Sequence, residues 1–156
     1  MAYVEKFMHR AIALSIQNVE EGGGPFGAVI VRDNQIVAEG TNRVTADHDP
    51  TAHAEVNVIR KAAKQLGTFD LKGCDIYSSC EPCPMCLGAI YWARLDNLYY
   101  GNTKADAKDI GFDDSFIYEQ INLSPEDRSV TTMRVLDKEA MIAFEKWRDK
   151  EDKVRY

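Results

Sequence analysis

The sequence predicts an α/β domain of three layers, α/β/α, in which helices cover both faces of a central mixed five-stranded sheet. Three observations carry that expectation. Strand-like apolar runs alternate with helical stripes along the chain, and two strand–turn–helix units follow one another through its middle. The 156 residues, 45% apolar and 28% charged, suffice for a single domain spanning residues 1–156 with a core of its own.

Taken in order, residues 4–20 set Val4, Phe7, Met8, Ala11, Ile12, Ser15, Ile16 and Val19 at helical spacing, and Gly22-Gly23-Gly24-Pro25 stops that helix. Gly27 to Val31 and Ile36 to Gly40 read as the strands of a hairpin around Asp33-Asn34, a turn that lacks the favoured Gly. Asn42 to Asp49 reads as loop. Asp49 is the expected cap, with Pro50 at the first helical position, of a helix running through His53 and Glu55 to about Leu66. Asp75 to Ser78 is the next strand, Cys80 to Pro84 a turn, and a helix continues through Cys86, Ile90 and Ala93. Leu98 to Gly101 is a fourth strand, Val130 to Leu136 a fifth, and Lys138 to Lys150 a last amphipathic helix. The connections 102–115 and 122–128 are longer than most, which suits a lid and a hinge.

Nineteen basic against 25 acidic residues give a net charge of −6 and a pI near 5.1. A protein whose task is to grip tRNA or single-stranded DNA displaces counterions with a basic surface, and here the Lys and Arg residues are scattered. The dense stretch Lys146 to Arg155 alternates in sign and reads as a solvated helix face. No nucleic-acid partner is therefore expected, and a free base or nucleoside is favoured. No run of about 18 apolar residues occurs, so neither a secretory signal nor a membrane span is expected. Four cysteines with metal-type spacing point to a reducing cytoplasm.

The residues that carry chemistry are His53-Ala54-Glu55 and, further on, Pro82-Cys83-Pro84-Met85-Cys86. One imidazole and two thiolates are three zinc ligands. A catalytic zinc keeps three protein ligands and one open position for water, whereas a closed structural zinc takes a fourth ligand rather than a Glu. Two thiolates push charge onto the metal and make it a weaker Lewis acid, so a neighbouring base gains importance. Glu55 fits that role: it can take the water proton, pass it to a ring nitrogen and pass another to departing ammonia.

Blander readings compete with each residue. A Cys-x-x-Cys is also a redox dithiol or half of a structural zinc site, but the first leaves His53 and Glu55 unemployed and the second needs another ligand. The spare thiols, Cys74 and Cys80, read as a core residue and a loop anchor. His9 and His48 read as surface residues, and Glu55 alone is a residue that complements a helix dipole. Its place two residues after the ligand His favours catalysis.

The His-x-Glu and Pro-Cys-x-x-Cys pair is the signature of zinc-dependent base deaminases, and the whole chain resembles the cytidine-deaminase-like zinc fold. Within it the chain closely resembles the small bacterial guanine deaminases, which convert guanine to xanthine and ammonia. The narrower resemblance rests on Gly24-Pro25-Phe26-Gly27-Ala28, Asn42, Asp49-Pro50-Thr51-Ala52-His53-Ala54-Glu55, Ser79-Cys80-Glu81-Pro82-Cys83-Pro84-Met85-Cys86, Tyr91-Trp92-Ala93-Arg94, Gly111-Phe112-Asp113-Asp114-Ser115-Phe116 and Tyr156.

That resemblance implies one Zn2+ per chain on His53, Cys83 and Cys86, with Glu55 as proton shuttle. It implies a base pocket lined by Phe26, walled by Trp92 and Phe112, with Asn42 and Asp114 hydrogen-bonding the purine and Tyr156 as a C-terminal lid. It also implies a homodimer that exchanges its C-terminal segments, so that Asp114 and Tyr156 complete the neighbour's site. From the residues alone, Phe26 and Trp92 also read as packing, Asn42 as a turn residue, and Asp114 as a solvated turn or cap. A related deaminase acting on guanosine, cytosine, cytidine or an aminotriazine shares the zinc apparatus, and a non-catalytic zinc module is the reading from another class.

Overall fold

The computed structural model describes residues 2–156, which divide into two compact units, the first ending at Asp114 and the second running from Ser115 to Tyr156. In the first unit α1 (Glu5–Glu20) precedes a hairpin of β1 (Gly27–Arg32) and β2 (Gln35–Thr41). A short α2 (Val44–Asp47) leads to α3 (Ala54–Leu66), followed by β3 (Asp75–Cys80), α4 (Pro84–Trp92), β4 (Asn97–Asn102) and α5 (Lys104–Asp109).

The hairpin turns without glycine because Asp33 and Asn34 both take the left-handed backbone, φ 50° and 60°, that a tight two-residue turn demands. Asp and Asn accept that conformation more readily than other side chains. The strands run in the order β2-β1-β3-β4, with β1 antiparallel to both neighbours and β3 parallel to β4.

Alternation along β1 builds the three layers. Val29 and Val31 face α1 and join Phe7, Met8, Ala11, Leu14 and Tyr77 in one core. Ala28 and Ile30 face the other way, against Ala54, Val58 and Ala62 of α3, Ile76 of β3 and Ile90 of α4. Each fully buried aliphatic side chain contributes about 1.5–3 kcal/mol, and Val29, Ile30 and Ile76 are wholly enclosed. Helices on both faces of a mixed sheet are the predicted architecture, with one difference in strand number.

The described sheet has four strands, not five. Val130 to Leu136 pairs with nothing in it: the segment is irregular, Val130 and Met133 stand 75% and 76% exposed, and Leu136 turns left-handed at φ 52° to begin α7 (Asp137–Asp149). β-branched composition records fitness for a half-buried pleated surface, and without such a surface it makes no strand. The rest of the second unit is α6 (Ser115–Asn122) and a single 3-10 turn at Pro125–Asp127, and none of its residues is buried.

The start of α3 also differs from expectation. Asp49 Oδ1 accepts from the Thr51 amide and hydroxyl at 2.8 and 2.7 Å, closing a local turn rather than capping a helix at Pro50. His53 is still extended (φ −69°, ψ 156°), and the helix opens one residue later. No described helix is long and apolar enough to cross a membrane.

Candidate metal centre and active site

Two helix beginnings bring the donors together. His53 immediately precedes α3 and Cys83 immediately precedes α4, while Cys86 sits one turn inside α4. The loop ahead of His53 is stitched down by the Asn57 amide, which donates to the carbonyls of Thr41 and Ala52 at 2.9 and 3.1 Å. Ahead of Cys83, the Glu81 amide donates to the Asn102 carbonyl and the Glu81 carboxylate accepts from the Lys104 amide, tying the turn to the end of β4 and the start of α5.

The resulting donor atoms lie within 4.8 Å of one another. His53 Nδ1 stands 3.6 Å from Cys83 Sγ and 3.4 Å from Cys86 Sγ. Nitrogen and sulfur ligands at tetrahedral zinc, with bonds near 2.0 and 2.3 Å, lie about 3.6 Å apart, so the cluster has the size of a zinc site. Among the described residues this is the group of His, Cys and carboxylate side chains placed to hold an ion.

Charge at the cluster is arranged for thiolate. The Cys83 thiol is pushed down to about 4, chiefly because Cys86 hydrogen-bonds to it, with His53 adding. Cys86 and His53 are both raised, each first by its bond to Cys83. The partial positive charge of the α4 N-terminus favours the same ionisation. At Cys80 burial dominates and lifts the thiol to about 11, outweighing a hydrogen bond from the Glu81 backbone.

Glu55, in the first turn of α3, is 6% exposed, and desolvation raises its carboxyl above the ordinary range. Oε1 accepts from the Ser78 hydroxyl of β3 at 3.1 Å. Ser78 was not singled out in the sequence, although alternation along β3 puts it on the same face as Ile76, toward α3.

Residues 1–102 of the chain match the family described as the cytidine and deoxycytidylate deaminase zinc-binding region. The chain belongs to this deaminase family. Over 153 residues, 97% of this chain and 98% of its relative, it is 52% identical to a guanine deaminase of Bacillus subtilis. It is similar to the X-ray structure of guanine deaminase from Bacillus subtilis, with a TM-score of 0.96, 51% identity and 99% of each chain covered. A tRNA-specific adenosine deaminase of Agrobacterium fabrum is 44% identical over 101 residues, 65% of this chain and 66% of that protein.

Around this deaminase centre the other expected residues are distributed unevenly. Phe26 is half-buried and meets Phe112 edge to face, centroids 4.9 Å apart. Asn42 is 9% exposed, its Oδ1 accepting from the Val44 amide at 3.2 Å. Asp114 is half-buried; desolvation raises its carboxyl, and the negative charge of Cys83 adds to the rise. Trp92, by contrast, is 69% exposed at the end of α4. Tyr156 ends the second unit and is exposed there.

Proposed function

We propose that this chain is a zinc-dependent aminohydrolase that converts guanine and water to xanthine and ammonia. The observation that carries the reading is a buried carboxylate, Glu55, beside a three-donor cluster of zinc dimensions in a chain 52% identical to a guanine deaminase over 97% of its length. When bound, zinc supplies a Lewis acid that brings the pKa of water down to about 7.

His53, Cys83 and Cys86 hold the metal and fill three tetrahedral positions. Glu55 accepts a proton from the attacking water and delivers it to a ring nitrogen beside C2, then accepts the second water proton from the oxygen now bonded to C2 and delivers that one to the amino group as the C2–N bond breaks. Its burial suits that exchange, because desolvation raises the carboxyl above its ordinary range and so eases the protonated state the shuttle must pass through.

The purine lies against Phe26, with Phe112 and Trp92 as further walls. The Asn42 side-chain oxygen Oδ1 accepts from the Val44 amide, and its NH2 end donates to a purine acceptor. Asp114 accepts a ring N–H and so disfavours a ribose at that nitrogen.

The working form is a homodimer whose C-terminal segments are exchanged between copies, so that Asp114 and the lid residue Tyr156 complete the neighbour's site. Support comes from the second unit itself, where Phe144 is 71% exposed, Leu136 68% and Val135 64%, and no residue is buried. That much open apolar surface on so short a segment suits coverage by a second copy. Four free cysteines, two of them at metal-ligand spacing, support a reducing cytoplasm as its compartment.

Ammonia release from guanine, guanosine, cytosine, cytidine, adenine and ammeline, measured in parallel, tests the reading. Guanine is expected to be turned over fastest; a nucleoside or pyrimidine preference would replace the substrate while keeping the chemistry.

A further inference from the structure

The shuttle carboxylate is not held by the zinc ligands alone. Ser78 sits in β3, an inner strand whose backbone is paired on both sides, Ser78 facing Ala28 of β1 and Tyr100 of β4. Its Cβ is therefore fixed by two neighbouring strands. The side chain is 2% exposed and points into the α3 layer, where its hydroxyl meets Glu55 Oε1 at 3.1 Å. Helix α3 and strand β3 are thus joined by a polar contact made directly to the carboxylate, beside the apolar packing of Ala54 and Val58 with Ile76, and alongside the hydrogen bonds the carboxylate receives from its own backbone and from Cys86.

A carboxylate on a Glu side chain turns freely about its last torsion unless something picks one of its two oxygens. An apolar neighbour leaves that rotation open, whereas a fixed O–H donor selects one orientation and stabilises it by a charge-assisted bond. We propose that Ser78 is a positioning residue for the deamination, its hydroxyl locking the Glu55 carboxylate so that Oε1 is occupied as an acceptor and Oε2 carries the shuttled proton. The inference rests on Glu55 being the shuttle. Ser78 touches no reacting atom; it acts through Glu55, and the benefit is preorganisation, since a misdirected oxygen must rotate before each of the two proton transfers.

The role predicts a split that a merely structural serine would not give. Ser78→Ala is expected to lower kcat about tenfold to hundredfold, with KM unchanged within about twofold and one zinc retained per chain. Ser78→Thr keeps the hydroxyl and is expected to restore kcat, while Ser78→Cys, similar in size but a weak donor, is expected to follow Ala. In the Glu55→Gln background, Ser78→Ala is expected to add no further loss.

A readout free of turnover accompanies these. The carboxyl stretch of Glu55, identified in the infrared by its absence in Glu55→Gln, is expected to move to higher frequency in Ser78→Ala and to return in Ser78→Thr. An unshifted band, a wild-type kcat in Ser78→Ala, a Thr variant as slow as Ala, or additive losses in the double variant would each overturn the proposal. Full activity in Glu55→Gln would instead overturn the shuttle reading on which it rests, and the two failures are told apart by that variant alone.

Discussion

His53 and Cys83, 30 residues apart, occupy equivalent places: each is the extended residue just before a helix, with φ and ψ of −69° and 156° for His53 and −65° and 169° for Cys83. From those two places their side chains converge to 3.6 Å between Nδ1 and Sγ. The equivalence sets the electrostatics, because both helix N-termini bring partial positive charge to the thiolates and to Glu55 in the first turn of α3. Predictions about the centre follow from it.

Removing the metal should stop the reaction without dissolving the scaffold. Protein stripped by a chelator is expected to lose turnover completely, keep the circular dichroism of its sheet and helices, melt at a lower temperature, and regain activity with one equivalent of zinc. Activity that survives removal would exclude a catalytic metal. The fold survives because two cores, on opposite faces of the sheet, are closed by apolar packing.

Glu55→Gln is nearly isosteric and leaves every zinc donor in place. Turnover is expected to fall by about 10²- to 10⁴-fold, with metal content by atomic absorption unchanged. Loss of zinc together with activity that returns on reconstitution would make Glu55 a structural residue.

Gly40 and Gly27 separate stability from the centre. A Cβ on Gly40 would lie 2.5 Å from the Ala54 carbonyl oxygen and 2.8 Å from the Val58 amide, so alanine there must push α3 away from β2. A Cβ on Gly27 would press equally on α1, 2.5 Å from the Ala11 carbonyl oxygen. Both Gly→Ala variants are expected to lose about 1–3 kcal/mol in urea unfolding. Only Gly40→Ala is expected to weaken zinc in a competition titration, because α3 follows His53 and carries Glu55.

Asp114→Asn tests substrate choice. If the carboxylate accepts a ring N–H, KM for guanine is expected to rise about 10- to 150-fold, with a smaller change in kcat. An unchanged KM would return Asp114 to an ordinary loop residue.

The link between α1 and β2 should depend on pH. Arg10 Nε and Nη2 donate to the two oxygens of Glu39, both at 2.6 Å, and this pairing first of all holds the Glu39 carboxyl below its ordinary range. A carboxylate lowered in the folded state adds stability above its unfolded pKa of about 4.3 and loses it as pH falls through the folded value. Arg10 stays charged throughout. Because both groups are partly exposed, Glu39→Gln is expected to lose less than about 1 kcal/mol at pH 7. The gap from the parent should begin to shrink as pH falls below the unfolded value of about 4.3, close once pH has passed through the lower folded value, and shrink in salt; a gap constant across pH would show that the pair contributes packing rather than charge.

Much of the layout is legible in the residues. Of the stripe expected in α1, Phe7, Met8, Ala11 and Ser15 are buried, whereas Ile12, Ile16 and Val19 are exposed and Leu14 is buried in their stead; the β1–β2 hairpin pairs around Asp33-Asn34 as its alternation requires. Val130 to Leu136 shows the limit of such reading: the residues favour a strand, but a strand exists only when a neighbour completes its hydrogen bonds. At the metal, Cys83 and Cys86 are one helical turn apart and announce themselves by spacing, whereas Ser78 carries no spacing signal and gains meaning only from the carboxylate above it.

The sequence by itself determined the donor set, the acid beside it and the alternation of strand and helix, because ligand identity and hydrophobic period are local properties of the chain. Tertiary structure alone decided that His53 and the two cysteines meet, that β3 lies between β1 and β4, and that a serine hydroxyl reaches Glu55. Those outcomes depend on how helices cross a sheet and which residues face each other across the layer, and such contacts form only when distant segments pack together.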